Sequence, residues 1–159
     1  MRELAKNEPA ETLAELAAFP VHRRLTTRWS DNDANGHLNN VVFYALFDSA
    51  VTGWLMESSG VDIRTLPAVP VLAETSCRFL RDLSFPDDVT VGIGAERVGR
   101  TSVTYALGLF RDEPAGAAPS LRARGRFVQV FVDAATRRPV PIPEPVRRAL
   151  AGLGARLRD

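Results

Sequence analysis

The longest feature in the hydrophobic pattern is a stretch with almost no charge. From Asn39 to Met56 the only charge is Asp48. Val41, Val42, Phe43, Tyr44, Leu46, Phe47, Val51, Trp54 and Leu55 point in nearly every direction of a helix. The pattern therefore predicts a helix over 39–58 that must be enclosed on most sides, with Ser58-Ser59-Gly60 as its end. Elsewhere the period is two. Residues 21–30, 71–81, 89–98, 101–111 and 120–133 read as strands. Gly99-Arg100 reads as a tight hairpin turn, 82–88 as a turn around Pro86, and 113–119 as a loose loop. A short helix is predicted over 10–19, with Thr12 and Glu15 as a capping box and Pro20 as its stop. Another starts at Pro143, with Val146, Ala149, Leu150 and Leu153 on one side.

The element order is helix, strand, apolar helix, four antiparallel strands, helix. This is an α+β chain, with a sheet of about five strands wrapped around one long central helix, the hotdog architecture. A single sheet leaves part of such a helix uncovered, so pairing with a second copy is the natural completion. The pattern shows no repeat and no change of composition. The expected organisation is an N-terminal helical extension over 1–20 and one domain over 21–159.

Composition narrows the function classes. The chain has 159 residues, 45% hydrophobic and 25% charged, with a net charge of +1. Nothing in that balance points to nucleic acid or membrane. Of the 20 basic residues only Lys6 is a lysine. Arginine suits carboxylate and phosphate ligands, although composition bias gives the same skew. The single cysteine, Cys77, excludes an internal disulfide and lies in a strand pattern, so an inert thiol is expected. The first residues lack a signal peptide's apolar core, and no apolar run reaches a membrane span. The expected compartment is the cytoplasm.

The candidate chemistry is concentrated in Arg28–Asn40, R-W-S-D-N-D-A-N-G-H-L-N-N, which runs into the apolar helix. Asp31, Asp33 and His37 fall there among Asn and Gly. Such a loop aims an acid or base at a helix N-terminus, whose free N–H groups can receive an oxyanion. Asp33 lies too far ahead of the helix to cap it, so Asn39 is the expected cap. Asp31 is expected to order the loop, and Gly36 to take a conformation other residues avoid.

Thr27–Ala50, with Asp-x-Asp followed by G-H-x-N-N and an aromatic-rich helix, closely resembles hotdog acyl-CoA thioesterases of the 4-hydroxybenzoyl-CoA thioesterase type. R-F-L-R-D-L-S-F-P-D-D-V at 78–89 and R-R-P-V-P-I-P at 137–143 support the likeness more loosely. The resemblance implies hydrolysis of an acyl-CoA thioester by a homodimer or homotetramer, without metal or redox cofactor. It puts the catalytic carboxylate on Asp33 and the oxyanion N–H on Asn40, seven positions later. His37 is expected near the thioester, with a purely structural histidine as its rival role. Gly36, Asn39, Phe43 and Phe47 are expected to border the substrate, with Trp54 further along the acyl tunnel, and Arg100 to contact coenzyme A. Arg97, Arg122, Arg124 and Arg126 are further phosphate candidates, although alternation on a strand also describes a solvated face. A hotdog enoyl-CoA hydratase is disfavoured, because its Asp–His spacing is five whereas His37 lies four from Asp33 and six from Asp31. A non-catalytic acyl-CoA-binding module is the other alternative. Asp48, alone in the apolar helix, is expected to be paired.

Overall fold

The computed structural model describes residues 16–154. Most of the helix expected over 10–19 lies outside them, and Leu16–Ala18 is a single 3₁₀ turn. The remaining order is β1 (Val21–Thr26), α1 (Asn40–Ser59), β2 (Ala68–Phe79), β3 (Asp88–Val98), β4 (Ser102–Arg111), β5 (Ser120–Asp133) and α2 (Glu144–Ala151). The strands form one antiparallel sheet in the order β1-β3-β4-β5-β2. The expected α+β hotdog arrangement is the observed one.

Helix α1 starts where its cap dictates. The Asn39 side chain accepts a hydrogen bond from Val41 N at 3.0 Å, and Gly60 ends the helix in the left-handed conformation, φ 69°. One stripe of α1, including Phe43, Phe47, Val51 and Leu55, is buried against the inner face of the sheet. That face is built from alternate residues such as Val91 and Ile93 of β3, Tyr105 and Leu109 of β4, and Phe127 and Phe131 of β5. The fit is tight at Gly125. A β-carbon there would lie 2.8 Å from Cε2 of Phe47.

Three expectations need correction. The strand over 21–30 stops at Thr26, and Trp29–Asp31 form a 3₁₀ turn. The buried Asp31 carboxylate draws the chain into this turn by accepting Arg28 N at 2.7 Å and the Arg28 guanidinium at 2.8 Å. Strand β2 begins at Ala68, three residues early, because an edge strand tolerates Pro70. The third is the partner expected for Asp48, which lies on the side of α1 that the sheet leaves uncovered. Val41 is 72% exposed, and Ala45, Asp48 and Ser49 also face outward. Asp48 therefore needs no counter-charge, and it has no hydrogen bond or ion pair among the described residues.

On the outer face of the sheet, Arg126 pairs with Glu74 and Glu96, and Arg122 with Glu113. Gly92 and Gly108 are cross-strand partners there, and the Phe19 ring lies over both of them. Cys77 is half-buried, and burial pushes its thiol up to about 11, as an inert thiol requires.

Two outcomes follow for stability. Gly125→Ala forces the new methyl against a Phe47 ring that has no exposed surface. Overpacking of this kind costs about 1–3 kcal/mol, to be read as a lower denaturation midpoint at unchanged slope. At Asp31, burial alone would raise the carboxyl, but the hydrogen bonds and charge of Arg28 outweigh it and hold it below its ordinary value. A depressed carboxyl stabilises the fold above its unfolded value of about 4. That contribution is lost as pH falls through the folded value. Asp31→Asn should cost about 1–2 kcal/mol near neutrality, and should flatten the stability curve below about pH 4. An acid limb as steep as the wild type's would contradict this.

Candidate active site at the start of the central helix

Two segments distant in sequence build the site. The loop from Thr27 to Asn39 leads into α1, and the turn from Leu80 to Asp87 joins β2 to β3. Leu38 N donates to Leu83 O at 2.8 Å. The Ser84 hydroxyl donates to Gly36 O at 2.7 Å, and Phe85 N donates to the Asn32 side chain at 3.0 Å. The Thr27 hydroxyl donates to Asp87 O at 2.7 Å. Asn39 N donates to Asp31 O at 2.9 Å, tying the helix start to the loop. The polar residues of the motif thus shape a clasped loop. Gly36 adopts φ 79° at its tip, in the region that glycine enters without strain.

Asp33 is half-buried in this loop. Its Oδ1 accepts Asn35 N at 2.8 Å and His37 N at 3.3 Å. Its Oδ2 has no hydrogen bond among the described residues. The backbone closes the loop again, with Asp33 N donating to His37 O at 2.7 Å. At the helix start, the Val41 N–H is used by Asn39, and the Asn40 N–H has no partner among the described residues. An unpaired N–H at a helix N-terminus is a preformed donor for negative charge.

Asp33, Asn40 and His37 line one cavity of about 650 Å³ together with Asn35, Leu38, Phe43, Phe79, Asp82 and Leu83. Phe43 and Phe79 meet edge to face at 5.0 Å, forming an aromatic wall beside the polar groups. His37 Nε2 lies 3.6 Å from Asp82 Oδ2. The structure therefore brings Asp33, Asn40, His37 and Phe43 together, with Gly36 and Asn39 in the supporting loop. Among the described residues, no group of three His, Cys, Asp or Glu side chains is disposed to hold a metal ion.

Other expected residues lie elsewhere. Phe47 is fully buried against Gly125 and Phe127, in the core and not in the cavity wall. Trp54 is buried in the same core. Arg100 sits in the β3–β4 turn, beside the Ser102–Val130 pair, whereas the cavity adjoins the row of Leu109, Ala123 and Phe79. Seven strand residues separate these rows, about 24 Å. Phe79, Asp82 and Leu83 escaped the sequence reading as site residues. The signal available for them was the loose likeness at 78–89, which carries no spacing rule linking it to the first motif.

No match to the sequence is found among curated proteins. Among solved structures, the PA5185 protein of Pseudomonas aeruginosa is 37% identical, with 92% of this chain and 99% of that chain covered and a TM-score of 0.83. A thioesterase of Thermus thermophilus solved with coenzyme A and zinc is 27% identical, with 85% and 94% covered and a TM-score of 0.70. The 1,4-dihydroxy-2-naphthoyl-CoA thioesterase Slr0204 of Synechocystis, at 17% identity, 82% and 94% coverage and a TM-score of 0.73, shares the fold. Residues 27–150, which hold both halves of the clasped site and the helix they address, match the Thioesterase-like superfamily, and the chain belongs to that family.

Proposed function

We propose that this thioester hydrolase acts on acyl-CoA through Asp33 and the Asn40 N–H. One observation carries the reading: a carboxylate with a free oxygen and an unpartnered helix N–H line the same cavity. The carbonyl oxygen of the thioester sits against the Asn40 N–H, which is worth most as charge develops on that oxygen. Asp33 Oδ2 attacks the carbonyl carbon, giving a mixed anhydride that water cleaves, or it takes a proton from an attacking water. Both routes release a carboxylate and a thiol. The acyl group lies toward Leu38, Phe43, Phe79 and Leu83, and the thiol portion leaves toward solvent past His37 and Asp82.

Coenzyme A as the carrier is supported by the Thermus thermophilus relative, which holds it. Pairing with a second copy is supported by the exposed Val41 on α1 and Leu72 on the edge strand. In such an assembly, Arg100 serves a coenzyme A held by a neighbouring subunit. The catalytic unit spans 21–159 with 1–20 as an extension, and the working compartment is the cytoplasm. None of the helices among the described residues is long and apolar enough to cross a membrane.

Asp33→Asn keeps an oxygen for the Asn35 and His37 amides, so the loop retains its hydrogen bonds while the charge is lost. Turnover of an acyl-CoA series, followed by free-thiol release, should fall by roughly 10²–10⁴. Acyl-CoA binding, measured by calorimetry, should survive. Near-wild-type turnover in this variant would remove Asp33 from the mechanism. A wild type that binds acyl-CoA and hydrolyses none would make the protein a binding module.

A further inference from the structure

Asp82 has no chemical step in the mechanism above, where it only borders the exit of the thiol, yet its carboxylate faces the same cavity as Asp33 and lies within 3.6 Å of the His37 ring. We infer that Asp82 is a positioning residue for His37, and that His37 supplies the proton taken up by the departing sulfur. The inference rests on the thioester reading and deepens it.

Geometry carries it. The residues on either side of His37 are both pinned to the turn that holds Asp82. Gly36 O accepts the Ser84 hydroxyl, and Leu38 N donates to Leu83 O. Asp82 is itself anchored from β5, where Arg122 Nη1 donates to its carbonyl at 3.1 Å. His37 therefore has little freedom to move away from Asp82. Its Nε2 lies 3.6 Å from Asp82 Oδ2, within ion-pair range and short of a hydrogen bond. Both side chains are about half exposed, 52% and 45%, so a ligand arriving from solvent meets them before the buried aromatic wall. The charged groups facing His37 are Asp82 from the β2–β3 turn and Asp33 from its own loop, with Arg122 of β5 behind Asp82.

The proton balance is the same on either route to the acid. The cycle starts from the imidazolium, with Nε2–H toward Asp82 and Nδ1–H as the proton to be given. As the carbon–sulfur bond breaks, its electron pair goes to sulfur and the Nδ1 proton follows, giving neutral thiol and neutral imidazole. If Asp33 is the nucleophile, the water that opens the anhydride returns one proton to His37. If Asp33 is the base, the proton it took from water passes back to His37. On either route the second proton of that water leaves to solvent as the product acid ionises to the carboxylate. Asp82 stays ionised throughout and fixes which nitrogen faces the cavity.

Leaving-group dependence tests this directly. The wild type, Asp82→Asn, Asp82→Glu and His37→Gln are assayed on the best substrate among acetyl-, hexanoyl-, palmitoyl- and benzoyl-CoA. They are assayed in parallel on the 4-nitrothiophenyl ester of the same acyl group, whose thiolate leaves without needing a proton. A general acid is typically worth roughly 10²-fold or more. Asp82→Asn and His37→Gln should lower kcat on acyl-CoA by about that lower bound with little change in KM. Their loss on the aryl thioester should be at least about tenfold smaller. Asp82→Glu, which keeps a carboxylate, should recover part of the loss. Equal losses on both esters would mean that the pair only supports the loop, and no loss on either would remove it from the reaction. Both outcomes overturn the inference. Asp33→Asn in the same series separates the two levels. If it is inactive while Asp82→Asn is unaffected, only the inference falls. If it stays active, the underlying site assignment falls with it.

Discussion

A twenty-residue helix with so little charge needs a cover, and the cover determines most of what surrounds it. Seven side chains of α1 are buried, and each of those larger than Ala50 is worth about 1.5–3 kcal/mol relative to exposure in water. Leaving them uncovered would cost as much as the whole net stability of an ordinary domain, about 5–15 kcal/mol. The sheet supplies the cover with alternate apolar residues on one face. At Gly125 it also gives up a side chain so that Phe47 can approach the backbone. That contact fixes how closely the helix rides on the sheet.

The site inherits its geometry from this packing. Once α1 is fixed, its first free N–H is fixed too. The loop carrying Asp33 is tied to the helix start through Asn39 N and Asp31 O, and to the sheet through Leu38 N and Leu83 O. Asp31 is consumed by this work, paired with Arg28 in a turn. Asp33, two residues on, keeps one carboxylate oxygen open. Two aspartates in one motif thus separate into one paired in a turn and one with an oxygen open to the cavity, by burial and partner and not by residue type.

Local signals were legible in the sequence and distant ones were not. The apolar run, the Asn39 cap, the Gly60 stop and the β5 span all follow from neighbours within a few residues, and all are observed. Asp33 and Asn40 belong to the same class, because their spacing is set by one loop. The end of β1 was misread because alternation runs on through Trp29, whereas the Asp31–Arg28 bond that turns the chain leaves no period. Asp48 was misread for a related reason: a lone charge among apolar residues looks buried, although it lies on the Val41–Ser49 side that is open within one chain. Phe47 and Phe43 lie four residues apart on the same helical stripe, so only the position of Gly125 on a distant strand assigns one to the core and leaves the other at the cavity. Asp82 meets His37 from 45 positions away along the chain, a pairing that only the antiparallel sheet creates.

The clasp between the two site segments also bears on how the molecule comes into being. Its bonds join residues 48 and 53 positions apart. Closing such loops costs chain entropy before it returns any contact energy. During synthesis the Asp33 loop emerges well before the turn that holds it. Helix α1 can form from local contacts alone, but the clasp requires β3 to be seated against β1, where Val21 faces Ile93. Closure of the candidate site is therefore a late event in folding, and it belongs to non-local strand pairing, the slow class of folding step. Restored turnover after denaturation reports closure of the sheet around the helix, while restored helicity reports an earlier stage.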